Sequence, residues 1–264
     1  MNRADRIGLI LVVLGSVLGI GLTFSATVEL PPVGVGDEGL MARGAALYAT
    51  KCAHCHGVDG SASTSTARML NPRPRDFSEG VIKFARGPFP QQNDLKRLIR
   101  DGIPQTSMAG FAALEEQDLD ALAAYTSWLL TRNNKPGVGE VTEIPSALLA
   151  SPDPASADRG AELFNSPKSA CSSCHGQDLR GKGPASWSEE NGWLLQDAAG
   201  LPARPRDLIA DGLRGGFEAE DLYARIAFGI PGTPMAAMNT ALSQTEICDL
   251  VAFLERELIH HQQR

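Results

Sequence analysis

Two short stretches of the 264-residue chain hold the residues whose types and spacing can do chemistry. Cys52-Ala53-His54-Cys55-His56-Gly57 and Cys171-Ser172-Ser173-Cys174-His175-Gly176 each set two thiols three residues apart and put an imidazole directly after the second. On one helical turn such thiols can bond to the two vinyl groups of a porphyrin while the histidine faces the iron. This is the attachment pattern of c-type haem. Two other chemistries use the same residues. Zinc needs four ligands per site, and neither stretch has a further Cys-x-x-Cys or paired His near it. A thioredoxin-like dithiol sits in an α/β context that this chain lacks. The reading is therefore two covalently bound haem c groups, held by Cys52, Cys55, Cys171 and Cys174, with His56 and His175 as iron ligands.

The segments around these motifs also occur twice, in the same order. Arg43-Gly44-Ala45-Ala46-Leu47-Tyr48 returns as Arg159-Gly160-Ala161-Glu162-Leu163-Phe164. Arg73-Pro74-Arg75-Asp76-Phe77 returns as Arg204-Pro205-Arg206-Asp207-Leu208. Ile103-Pro104-Gln105-Thr106-Ser107-Met108 returns as Ile230-Pro231-Gly232-Thr233-Pro234-Met235. An ordered recurrence of this kind marks an internal repeat. The second copy carries an insertion of about 12 residues between its histidine and the Arg-Pro-Arg-Asp block, which belongs in a surface loop.

Each copy must position its motif with helices. Apolar residues fall at helical spacing over Glu38 to Ala49 and Ser156 to Asn165. In the closing segments Leu119, Leu122, Tyr125 and Leu129 share one helical face, as do Ile247, Leu250, Val251 and Leu254. Strand-type alternation is nearly absent, so the fold class is all-α. The expected divisions are a first domain over 38–133, a Pro- and Gly-rich linker over 134–155 and a second domain over 156–264. About 100 residues of helix and loop make a thin core, and a bound porphyrin completes it.

Residues 7–28 carry no charge. As a helix they span roughly 33 Å, enough to cross about 30 Å of bilayer hydrocarbon. The stretch is longer than the apolar region of a cleaved signal, and Ala26 would leave Phe24 at the −3 position, so an uncleaved anchor is expected. Arg3 and Arg6 place residues 1–6 in the cytoplasm and everything after residue 28, beginning with a 29–37 spacer, on the outer side of a bacterial inner membrane. That side is also where c-type haem is attached.

With these motifs in place, the chain resembles a membrane-anchored di-haem cytochrome of class I. The resemblance covers about 38–133 and 156–264. It implies two tandem cytochrome c-type helical domains after an N-terminal transmembrane helix, each wrapping one haem, with Gly44 and Gly160 letting the opening helix approach Tyr125 and Phe253. It also implies a sixth iron ligand far beyond the haem motif. In the first domain this is Met108, after a Pro104 turn and before the closing helix; Met41 precedes the motif and Met69 follows it too closely. In the second, the shared register selects Met235 over Met238, which aligns with Phe111. A thioether favours ferrous iron, so His/Met pairs read as electron-transfer sites with no open position for substrate.

The resemblance further implies a proline carbonyl that accepts the second ring nitrogen of each haem histidine. Pro184 fits this role in the second domain, and Pro72 or Pro74 could substitute in the first. The Arg-Pro-Arg-Asp block either lends an arginine to a haem propionate or forms a local Arg–Asp pair. His54 reads as a surface residue, His260 and His261 as unremarkable helix-end residues, and Cys248 as a small helix residue without a partner thiol.

The net charge of −7 argues against a nucleic-acid partner. It is unevenly placed, at +1 over 38–133 (11 basic, 10 acidic) and −5 over 156–264 (10 basic, 15 acidic). The acidic second domain suits a basic electron partner, or else serves solubility alone. The functional expectation is a carrier of single electrons rather than an enzyme, between periplasmic or membrane redox partners: a quinol-oxidising complex, an oxidase, a dehydrogenase or a soluble cytochrome. The alternatives are an integral subunit of a cytochrome bc complex, terminal oxidase or molybdenum dehydrogenase, and a di-haem peroxidase or thiosulfate-oxidising enzyme.

Overall fold

A computed structural model describes residues 38–87, 90–133, 143–198 and 200–262, without the side chains of 260–262. The expected anchor over 7–28 and spacer over 29–37 lie outside the described residues. Among the described residues, no helix is long and apolar enough to cross a membrane.

The described residues divide into two compact units. The first contains α1 (Glu38–Lys51), α2 (Ala53–His56), α3 (Ser65–Met69), a 3-10 turn at Phe77–Glu79, α4 (Gln92–Asp101) and α5 (Glu116–Thr131). Its opening and closing helices, α1 and α5, pack against each other. The crossing forms at Gly44, where a Cβ would lie 2.8 Å from the Tyr125 Cβ. Hydrogen at that Cα is what lets the backbones meet. The stripe read from sequence is buried: Leu119, Leu122, Tyr125 and Leu129 are all within 1% of full burial. Each such leucine contributes roughly 1.5–3 kcal/mol by leaving water. Tyr48 tilts against Tyr125 with ring centroids 5.3 Å apart.

The second unit contains α6 (Ser146–Ala150), α7 (Ser156–Asn165), α8 (Cys171–His175), the strands β1 (Trp187–Ser188) and β2 (Gly192–Trp193), α9 (Ala219–Phe228) and α10 (Gln244–Gln262). Here α7 crosses α10 at Gly160, where a Cβ would lie 2.8 Å from the Phe253 Cβ. Phe164 and Phe253 repeat the tilted aromatic pair at 5.3 Å.

Three features differ from the expectation. A small antiparallel hairpin pairs Trp187 with Trp193 inside the insertion of the second copy, a local addition to an otherwise helical fold. The described end of the expected linker is structured, because Leu149 of α6 and Ile144 join the apolar core of the second unit. The described residues of 82–91, which lie within the first repeat in sequence, group with the second compact unit. Arg86 of this stretch meets Glu220 and Asp221, each at 2.7 Å.

Candidate haem sites

The thiols and imidazole of each motif lie on one tight turn. In the first unit the N–H groups of Cys55 and His56 donate to the Cys52 carbonyl at 3.1 and 2.9 Å. The four motif cysteines are free and half-buried. Burial pushes the Cys52 thiol up to about 12 and raises Cys171 as well.

After the histidine the two copies share a run of left-handed backbone positions. Gly57, Gly60 and Ala62 have φ of 77°, 74° and 52°; Gly176, Leu179 and Gly181 have 74°, 62° and 76°. Ala62 N–H donates back to the His56 carbonyl, and Gly181 N–H to the His175 carbonyl, both at 2.8 Å. Asp59 and Asp178 each accept the N–H two residues on, at 3.0 and 3.2 Å. The chain is thus folded tightly behind each imidazole.

His56 Nδ1 contacts the Arg75 carbonyl at 3.2 Å. A carbonyl only accepts, so Nδ1 carries the proton and Nε2 keeps a lone pair for iron. Burial lowers the pKa of His56 and of His175, which favours the neutral imidazole a metal requires. The acceptor is Arg75 rather than Pro72 or Pro74. In the second unit the Pro184 carbonyl does not take this role: His175 Nδ1 is buried without a partner. Pro184 is exposed, and its loop is tied to the haem-motif turn by Gly183 N–H to the Cys174 carbonyl at 3.1 Å and Ala185 N–H to the Ser173 carbonyl at 2.8 Å.

The methionine loops are near copies. Ile103 N–H donates to the Met108 carbonyl at 2.9 Å, and Ile230 N–H to the Met235 carbonyl at 3.0 Å. The hydroxyls of Thr106 and Thr233 donate to the Ile103 and Ile230 carbonyls, both at 2.7 Å. Those hydroxyls in turn accept the N–H of Met108 and Met235 at 3.1 and 3.3 Å. Gly102 and Gly229, at φ 69° and 68°, start the loops, and a Cβ on either would strike backbone of the methionine segment. Sequence reading passed over this pair, although Gly-Ile-Pro occurs in both copies. Phe111 and Met238 N–H groups bond to the Ile99 and Ile226 carbonyls, both at 3.0 Å, so the two residues occupy one register. Met238 packs against the apolar core, while Met108 and Met235 are half-buried at the same loop position. Met41 is buried on α1, and Met69 is 81% exposed.

The second Arg-Pro-Arg-Asp block forms local Arg–Asp pairs, Arg206 with Asp211 at 3.7 Å and Asp207 with Arg180 at 3.1 Å. Asp76 caps the following turn through Ser78 N–H at 2.8 Å, and Asp207 does so through Ile209 and Ala210 at 3.1 and 2.8 Å. Arg75 reaches Glu79 at 3.3 Å and has a buried Nε without a hydrogen-bond partner. Arg206 donates to the carbonyls of Gly212 and Asp211 at 3.0 and 2.8 Å. His54 is exposed and meets Thr66 Oγ1 at 3.0 Å. Cys248 is 6% exposed in the core, where burial raises its pKa.

Two helical units, each with a Cys-x-x-Cys-His turn, define a tandem c-type cytochrome. Residues 41–129 match the family Cytochrome c, and residues 155–254 match cytochrome c oxidase, cbb3-type, subunit III. The chain belongs to the cytochromes c, with two such domains in tandem and two covalently bound haem c groups. None of the curated proteins matches it. Among solved structures it is similar to a chain of the Kuenenia stuttgartiensis reducing HAO-like protein complex Kustc0457/Kustc0458. The identity is 26% and the TM-score 0.70, over 82% of this chain and 96% of that one.

Proposed function

We propose that the protein carries single electrons at the periplasmic face of a bacterial inner membrane, to which residues 7–28 anchor it. Each domain would hold its haem through two thioethers and a His/Met pair: His56 with Met108, and His175 with Met235. The observation that carries this reading is the recurrence of the methionine loop, with the same bonds among isoleucine, threonine and methionine, in domains whose loops between motif and methionine differ in length. A loop free to drift would not keep that geometry twice; a loop presenting a ligand must. The haem supplies the one-electron couple. The chain's residues exclude water, fix the imidazole tautomer in the first domain and hold a thioether in a set place.

A second reading, in which the chain is a stoichiometric subunit of a larger redox assembly, is favoured by the similarity to a chain of a complex. The partners in either case are redox proteins of the membrane or periplasm: a quinol-oxidising complex, an oxidase, a dehydrogenase or a soluble cytochrome.

An optical redox titration of the purified holoprotein tests the first reading. Two haems per chain and the weak far-red band of ferric His/Met haem are expected. High-spin resting haem would sink the ligand assignment. Co-purification of a stoichiometric haem-b or molybdenum protein from native membranes decides for the subunit, and its absence for the carrier. Membrane extraction tests the anchor: release of the intact chain by salt alone would refute it.

A further inference from the structure

After the histidine the two haem-binding turns share their left-handed backbone positions, yet the groups behind their histidines differ. In the first domain His56 Nδ1 donates to the Arg75 carbonyl, and the Phe77 ring lies flat on the imidazole, with centroids 4.6 Å apart and planes 12° apart. Phe77 is itself fixed in place. It is 8% exposed, and its N–H donates to the Gly60 carbonyl at 2.8 Å. In the second domain the matched residue is Leu208, whose N–H makes the same bond to the Leu179 carbonyl at 2.9 Å. The backbone is preserved and the aromatic face is gone. The Nδ1 of His175 is also buried without an acceptor.

We propose that Phe77 is a positioning residue for His56 and that, with the Arg75 carbonyl, it sets the first haem at a lower reduction potential than the second. The proposal rests on the reading of His56 and His175 as axial ligands. Ferric iron leaves more positive charge on its imidazole than ferrous iron does. A hydrogen bond from Nδ1 to a carbonyl disperses that charge and raises the basicity of the ligand. The negative face of a stacked phenyl ring favours the same state. Both effects stabilise ferric iron in the first domain. In the second, a buried N–H with no acceptor leaves the charge uncompensated in a medium of low dielectric, which favours ferrous iron. At equilibrium with a mediator, the first electron therefore resides mainly in the second domain, taken from ferric to ferrous, and the first domain is reduced mainly by the second electron. No proton is transferred.

The test is an optical redox titration of the full-length holoprotein with mediators. Met108→His and Met235→His assign the two waves, because exchanging thioether for imidazole lowers the potential of the altered haem. The expected result is two waves, with the first electron favouring the second domain at least tenfold, or about 59 mV for a one-electron couple. Phe77→Leu raises the first-domain wave and leaves the other in place. Phe77→Tyr keeps the ring and the wild-type position. Leu208→Phe lowers the second-domain wave, and it carries the test should Phe77→Leu fail to retain its haem. Coincident wild-type waves, a reversed order, or waves unmoved in both Phe77→Leu and Leu208→Phe overturn the proposal. The far-red band separates the two failures: its absence from the wild type defeats the ligand assignment, while an intact band with unmoved waves defeats this inference alone.

Discussion

The two domains agree in the backbone of their haem-binding loops and in the glycine crossing, and differ in the groups behind the histidine and in the polar contacts of their helices. The left-handed positions after the histidine, the methionine loop and the glycine crossing recur almost bond for bond. The scaffolding around them does not. Tyr48 of the first domain donates its buried hydroxyl to the Gly57 carbonyl at 2.9 Å, and its counterpart Phe164 has no hydroxyl. Arg43 on α1 pairs with Asp118. The matched Arg159 on α7 instead reaches the buried Asp249, at 2.7 Å through Nη2 and 2.9 Å through Nε, and Asp249 also takes the Ser156 hydroxyl. The closing helix of the second domain starts with a reciprocal cap between Ser243 and Glu246, whereas Glu115 before α5 makes no side-chain cap bond. The lesson is that the backbone of the haem-binding loops recurs closely in the two copies, while different polar arrangements stabilise their helices.

The comparison can be broken most severely at the ligands. Met108→Ala should abolish the far-red band of one haem, halving its amplitude, and leave the other haem intact; Met235→Ala should do the same for the other domain. Loss of the whole band from either single variant would show that the domains do not act independently. Met238→Ala should keep the band.

The glycine crossings come next. Gly44→Ala and Gly160→Ala each force a Cβ into the backbone of the facing helix and should destabilise their own domain by about 3 kcal/mol, the upper end of overpacking costs. Thermal melts followed at the Soret band check this. Equal losses support equivalent crossings; a tolerated alanine in one domain would show that its helices can separate.

A smaller difference lies in the tyrosine. Tyr48→Phe makes the first domain resemble the second and leaves the Gly57 carbonyl without that donor, at a cost of about 1 kcal/mol. Denaturant unfolding of the variant measures it, and an unchanged midpoint would mean that water replaces the hydroxyl at no cost.

The smallest effect is acid dependence. The bond from Lys168, followed by that from Ser243 N–H, holds Glu246 down at about 2, below its ordinary 4.5. A depressed carboxylate stabilises the folded form above the unfolded value and loses that contribution as pH falls from about 4.5 through about 2. Glu246→Gln should flatten this part of the second domain's stability profile, and added salt should do so partly in the wild type. A profile as steep in the variant would place the acid sensitivity elsewhere.

Much of this could be read from residue order. The haem-binding turns, the helical stripes and the shared register of Met108 with Met235 follow from local spacing and from the repeat. The glycine crossing came from family resemblance, and the facing residues are Tyr125 and Phe253 as expected. The acceptor for His56 was sought among prolines and is Arg75, because a carbonyl's role depends on where the chain passes rather than on its side chain. The stretch with Ile144 and Leu149 read as linker from its prolines, although those two apolar residues bury in the second core. Residues 82–91 read as part of the first repeat because they fall within it, yet Arg86 finds its carboxylates on α9.

The sequence by itself determined the chemistry: two thiols and an imidazole on one turn, written twice, need no tertiary contact to specify covalent haem. The tertiary structure alone decided how alike the two sites are. Arg75 and Phe77 stand 19 and 21 residues from His56, and only the folded chain brings them to its ring. Hydrogen bonds to backbone carbonyls and ring stacking depend on angles and separations of a few ångströms, which residue identity does not encode.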